Sequence, residues 1–276
     1  MSRARILAVA NQKGGVGKTT TSVNLAACLA EKGMRVLLVD FDAQANATSG
    51  LGVEKREGWS LYPALLGEGT AAEVVVSTQV AGLDLIPAEV NLAGAEIETA
   101  RLERYLHRLS EAMAPVLAER RYDFVLVDCP PSLGVLTMNA LTFADGLLMP
   151  IQCEYYALEG LSVMVRLVEQ LKAGGANPRL EVEGILMTMY DGRTNLSQQV
   201  VQQVVQHFGE KVYETLIPRS VRLSEAPSYG QPIIQYDRIS TGATAYRALA
   251  GEVMARRGRG SLAVGSRPDD LSGGMA

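Results

Sequence analysis

Residues 13–20 read K-G-G-V-G-K-T-T, and they lie between the apolar run I-L-A-V-A at 6–10 and a segment, 18–32, whose Val23, Ala26, Ala27, Leu29 and Ala30 recur at helical spacing. A strand that runs into a glycine loop and then a helix gathers backbone N–H groups and a helix N-terminus around one anion-sized hollow. Gly14, Gly15 and Gly17 let the backbone wrap where a Cβ would clash, with Val16 between them. Lys18 reaches the terminal phosphates of a polyphosphate, the Thr19 hydroxyl is placed to hold Mg²⁺, and Val16 and Thr20 complete the run of residues expected to bind the polyphosphate.

The general phosphate-loop pattern G-x-x-x-x-G-K-[ST] asks for a glycine five residues before Gly17, where this chain has Gln12, and it has Lys13 directly before the glycine pair. With that lysine the loop resembles the deviant Walker A loop of the ParA/MinD family. The resemblance implies that Lys13 reaches across a dimer to the partner's nucleotide. The plain alternative, a glycine-rich turn with surface lysines, leaves the flanking strand and helix signals without a purpose.

The chain has 276 residues, of which 47% are hydrophobic and 20% charged, a composition that buries one large α/β core; a single domain over 1–257 is expected. A net charge of -4 excludes coating nucleic acid by bulk charge, so any DNA contact has to be a local patch. The run at 6–10 is too short for the apolar region of a secretory signal, and no stretch is long enough to span a bilayer, which predicts a cytoplasmic protein without a membrane partner. Cys28, Cys129 and Cys153 are odd in number and far apart, as reduced core cysteines are. His107 and His207 have no Cys or His at ligand spacing.

Two further apolar runs end in a carboxylate: V-L-L-V-D at 36–40, followed by Phe41, Asp42, Ala43 and Gln44, and F-V-L-V-D at 124–128, followed by Cys129, Pro130 and Pro131. Both read as buried parallel strands with an Asp at the carboxyl tip, where open α/β sheets bind ligands. The second is a Walker B signature that lets Asp128 bind Mg²⁺ through water. Additional strands are expected at 83–86, 146–151, 184–189 and 212–217. Helices are expected at 61–66, at 102–119 with Pro115 kinking or dividing it, at 158–172, at 196–208 capped by Asn195, and at 241–257. Local chemistry reads 91–99 as loop and 218–232 as an irregular loop. Residues 258–276 lack periodicity and core material, and a disordered tail is expected there. The alternation predicts a doubly wound, mostly parallel sheet with helices on both faces and the nucleotide at the strands' carboxyl ends.

Taken together, N-Q-K-G-G-V-G-K-T-T, V-D-F-D-A-Q-A-N-A-T-S, V-L-V-D-C-P-P-S-L-G, M-Y-D-G-R-T-N-L and I-P-R-S-V-R-L-S-E-A-P-S-Y-G-Q-P-I resemble the Soj-type chromosomal ParA ATPases over nearly everything before the tail. The resemblance implies ATP with Mg²⁺, with Asp40 a partner of the metal through its water shell and Asp42 the group that positions the attacking water. It places 91–99 near a dimer interface and sets Pro218 and Arg219 against the adenine. It further implies an ATP-dependent homodimer on the nucleoid that binds double-stranded DNA without sequence preference. A ParB-type centromere-binding protein would stimulate hydrolysis, and the role would be segregation of a chromosome or plasmid. Arg193, Arg219 and Arg222, expected just past two neighbouring strand ends, match positions that contribute to DNA binding in such relatives. A MinD-like division-site ATPase is the competing reading, and it requires a terminal basic amphipathic helix that 258–276 does not supply.

Overall fold

The computed structural model describes residues 3–155 and 157–263. The apolar runs that end in Asp form the middle of the sheet. β1 (Arg5–Val9), β2 (Val36–Asp40) and β5 (Phe124–Asp128) are flanked by β3 (Val76–Ser77), β4 (Leu83–Ile86), β6 (Gly146–Gln152) and β7 (Glu181–Thr188), in the order β3-β4-β2-β5-β1-β6-β7. All neighbours pair in parallel except β3, which runs antiparallel to β4. A parallel strand buried on both faces needs apolar residues at every position, and this is why these runs do not alternate.

Side chains from the two faces feed two cores. Leu7, Val9, Leu38 and Leu126 pack with Leu25 and Leu29 of the helix Lys18–Glu31 and with Tyr246 and Leu249 of the helix Thr241–Ala263. Ile6, Ala8, Leu37, Val39, Val125 and Val127 pack on the opposite face with Leu109, Met113, Leu136 and Leu161. Each fully buried Leu or Val stabilises the fold by about 1.5–3 kcal/mol before entropy is counted. The doubly wound, mostly parallel architecture expected from the sequence is the observed one.

Several local expectations are corrected. Residues 212–217 form no strand: the isolated bridges Ile185–Val212 and Tyr190–Pro218, with the Ile217 amide donating to the Met187 carbonyl at 2.9 Å, join this segment to its neighbours. The Glu252 carboxylate takes the amides of Glu214 and Thr215 at 2.9 Å each and also the Thr215 hydroxyl, so the middle of the segment is drawn off the ladder. The helix expected from 102 begins at Arg108, because Asn139 accepts the Leu109 amide at 3.1 Å and donates to the Tyr105 carbonyl at 2.8 Å, holding the preceding turn apart. Pro115 lies inside the helix Arg108–Ala118 without dividing it. Residues 91–99 are largely the helix Leu92–Glu98, which buries Leu92 and Ala95; Thr99 just beyond it is buried too, one turn on.

The helix Asn195–Phe208 is capped by Thr194, whose Oγ1 accepts the Ser197 amide at 3.3 Å, and Asn195 is its first residue instead of its cap. The expected irregular loop at 218–232 contains the short helix Val221–Glu225 and the 3-10 turn Ala226–Tyr229. A helix the sequence reading passed over, Val135–Phe143, follows the turn after β5. The closing helix runs to Ala263, past the expected end at 257, and the rest of the proposed tail lies outside the described residues.

Candidate functional site

The loop after β1 and the ends of β2, β5 and β7 converge at the carboxyl edge of the sheet. Gly17 is the residue before the helix Lys18–Glu31 and has φ 87°, a left-handed conformation that a side chain disfavours. Thr188, the last residue of β7, donates its hydroxyl to the Val16 carbonyl at 2.8 Å and so braces the loop from the other side. Lys18 is buried, and its Nζ donates to the Lys13 carbonyl at 3.0 Å, which folds the side chain back over the loop. Burial lowers the Lys18 pKa from its ordinary value, while nearby Asp128 opposes the shift.

Asp40 and Asp128 are fully buried and stand opposite one another in the register of β2 and β5. Asp40 Oδ2 accepts both the amide and the hydroxyl of Thr48 at 2.7 Å, which fixes the segment carrying Asp42. Asp128 Oδ1 accepts the Ser22 hydroxyl at 2.8 Å, whereas Asp128 Oδ2 is buried with no partner. Thr19 lies near enough to Asp128 to hold its pKa down against burial. Asp42 is half-buried, and its Oδ1 accepts the Gln44 amide at 3.0 Å. An orphaned carboxylate oxygen beside a threonine hydroxyl and a second buried carboxylate is a hard oxygen donor set, and it fits Mg²⁺. Ser22 and Thr48 were not singled out in the sequence. Ser22 lies one helical turn after Lys18, and that spacing was the available signal.

Burial and the facing Asp40 push the Asp128 pKa far above the carboxylate range, and burial pushes Asp40 up as well. A carboxyl whose folded pKa exceeds its unfolded value of about 3.9 binds more protons when folded, so stability falls as pH rises from about 4 towards neutrality. The thermal midpoint of the nucleotide-free protein is therefore expected to decline over that range, and Asp128→Asn to flatten the decline. Equal slopes in both proteins would place the titration elsewhere.

At the rim, Lys13 Nζ pairs with Glu154 Oε2 at 2.5 Å, and the two side chains remain 51% and 45% exposed. The Lys13 amide donates to Asn11 Oδ1 at 3.0 Å, and Asn11 is anchored in turn to the Pro150 carbonyl at 2.8 Å. The two lysines of the loop thus point to different places, Lys18 into the phosphate hollow and Lys13 to the surface. Pro218 bridges Tyr190, and the Arg219 amide donates to the Tyr190 carbonyl at 3.0 Å, so both are joined to a residue two positions beyond the strand end that braces the loop.

Arg193 and Arg219 sit on adjacent loops, near enough that both lower the pKa of Asp191, Arg193 most strongly. Arg193 forks onto Asp191 at 2.9 and 2.7 Å and stays 89% exposed. Arg222 pairs with Glu225 at 3.0 Å and Asp237 at 3.6 Å. Each of Arg193 and Arg222 already has an acidic partner within the chain. Among the described residues no helix is long and apolar enough to cross a membrane.

Comparison with known proteins gives consistent likenesses. A family model described as an AAA domain matches residues 4–182. The chromosome partitioning protein ParA of Caulobacter vibrioides is 50% identical over 253 residues, covering 91% of this chain and 94% of that protein. The sporulation initiation inhibitor protein Soj of Bacillus subtilis is 54% identical over 252 residues, covering 91% and 98%. A Mycobacterium smegmatis structure described as cobyrinic acid a,c-diamide synthase, solved with ADP and magnesium, superimposes with a TM-score of 0.80 at 37% identity and covers 93% of this chain and 96% of its own.

Proposed function

The chain belongs to the ParA/Soj family of chromosome-partitioning ATPases, and from that premise we propose that it is a nucleotide-gated switch: ATP and Mg²⁺ join two copies, the pair binds duplex DNA of any sequence, and hydrolysis releases it. The observation that carries this reading is the division of labour between the two lysines of one loop. Lys18 is buried at the hollow, while Lys13, half-exposed, has only a surface carboxylate as its ion-pair partner and is free to exchange it for an anion on a second copy.

The chain's own residues account for the steps. Loop amides from 14–19 cradle the phosphates, and Lys18 leaves the Lys13 carbonyl to neutralise their charge. Asp128 and Thr19 would hold Mg²⁺, which would neutralise charge on the phosphates. Asp40, bound to Thr48, keeps the 42–48 segment in place, and Asp42 orients the attacking water. Lys13 reaches the partner's nucleotide, which ties hydrolysis to the paired state. Pro218 and Arg219 form a wall for the adenine. A ParB-type partner that stimulates hydrolysis, residence on the nucleoid within the cytoplasm, and segregation of a replicated chromosome or plasmid complete the proposal.

DNA contact is assigned to Arg193, Arg219 and Arg222. A dimer doubles the set to about six phosphate contacts, which corresponds to a log-log salt slope near -5. A single copy has half the contacts, so binding should depend on ATP. Because Asp191 and Glu225 already pair with Arg193 and Arg222, phosphates have to displace them, and affinity should be modest. The triple change Arg193→Ala, Arg219→Ala, Arg222→Ala is expected to weaken binding to every duplex by about 10²-fold or more and to flatten the salt slope. ATP-driven pairing should survive. Fluorescence anisotropy at several salt concentrations measures both quantities, and an unchanged slope would move the DNA surface elsewhere.

A further inference from the structure

Glu96 has no part in the site described above, yet its carboxylate holds the far end of the turn that leads away from Asp128. It leaves the helix Leu92–Glu98 and accepts the amides of Val135 at 2.6 Å and Leu136 at 3.1 Å, the first two residues of the helix Val135–Phe143. Gly134, the residue before that helix, offers no side-chain cap. The cap therefore comes from 39 residues away, where a carboxylate meets both orphan donors and the positive end of the helix dipole. A Cβ on Gly134 would collide with the same carboxylate. The backbone there, φ -86° and ψ -167°, is open to any residue, so the glycine supplies room for Glu96 and not an unusual conformation.

The segment from 129 to 134 is the turn behind Asp128. Its front is tied to β1 by the Cys129 amide, which donates to the Val9 carbonyl at 3.2 Å. In its middle, the Pro131 Cβ lies 3.9 Å from where a Cβ on Gly14 would stand, so the turn rests against the phosphate loop. Its far end is held by Glu96. The helix that carries Glu96 shows Ile97, 61% exposed, to the outside, with Val90, 74% exposed, just before it.

We propose that Glu96 is a positioning residue for ATP hydrolysis: by capping the helix Val135–Phe143 it fixes the far end of the turn behind Asp128, which rests against the phosphate loop. This rests on the hydrolytic reading of the site. Gly134→Ala is the informative companion to Glu96→Ala, because it displaces the end of one flexible side chain and leaves the backbone undisturbed.

The experiment compares steady-state ATP turnover, ATP affinity by calorimetry and thermal midpoint for the parent, Glu96→Ala, Glu96→Gln, Gly134→Ala and the Glu96→Ala/Gly134→Ala double variant. Glu96→Ala and Gly134→Ala should each lower kcat about tenfold, with KM and ATP affinity held within about twofold, since each removes the same two cap bonds. Glu96→Gln, which keeps an acceptor oxygen, should recover most of the loss. The double variant should be no worse than either single. Losses that multiply to about a hundredfold in the double, or an unchanged kcat in Glu96→Ala, would overturn the assignment. The parent rate separates the two readings: a parent without turnover sinks hydrolysis itself, and a normal parent beside an unaffected Glu96→Ala sinks only Glu96.

Discussion

Lys18→Ala should lose ATP binding by about a hundredfold or more, the cost of about 3 kcal/mol expected when a buried, charge-assisted contact is deleted. The side chain is buried at the hollow and its ammonium already has its pKa lowered by burial, so it is a poorly hydrated cation that gains strongly from a phosphate. Among the described residues its Nζ donates to the Lys13 carbonyl, a neutral acceptor that is readily exchanged. Pairing of two copies should fail in the same variant, because the proposed switch pairs only with nucleotide bound. Equal ATP affinity for variant and parent in calorimetry would remove Lys18 from the phosphate site.

Asp42→Ala should separate binding from turnover. Asp42 sits past the end of β2, outside the cradle of loop amides, and its side chain accepts the Gln44 amide at 3.0 Å. Removing it should leave the phosphate contacts whole and take away the group proposed to orient water, a loss of about 10²–10⁴-fold in rate. The expected result is a persistent ATP-bound pair, seen as retained nucleotide after gel filtration. Hydrolysis at the parent rate would reduce Asp42 to a turn residue.

How much of this was legible beforehand follows from where the determinants lie. Apolar runs closed by Asp40 and Asp128 announce their strands because burial on both faces admits no other pattern, and the 13–20 loop carries its own chemistry. Features set by distant partners were not legible. Ser22 meets Asp128 across 106 positions, and Glu252 draws residues 214 and 215 off the sheet from 37 or more positions away. The helix Leu92–Glu98 is hidden although Leu92, Ala95 and Thr99 keep helical spacing, because it is short, carries Gly94 inside it, and is set among Asn91, Glu96 and Glu98, which read locally as loop. Asn195 and Thr194 are both good caps, and the choice between them is made by backbone geometry: Thr194 is extended, with φ -103° and ψ 130°.

The most direct test of the switch is sedimentation velocity of the Asp42→Ala protein with a labelled duplex of arbitrary sequence, without nucleotide, with ADP and with ATP, each with Mg²⁺. The account predicts a single copy free of DNA in the first two conditions, and a pair that carries the duplex along only with ATP. A single copy in ATP, or DNA carried equally in all three, would contradict it.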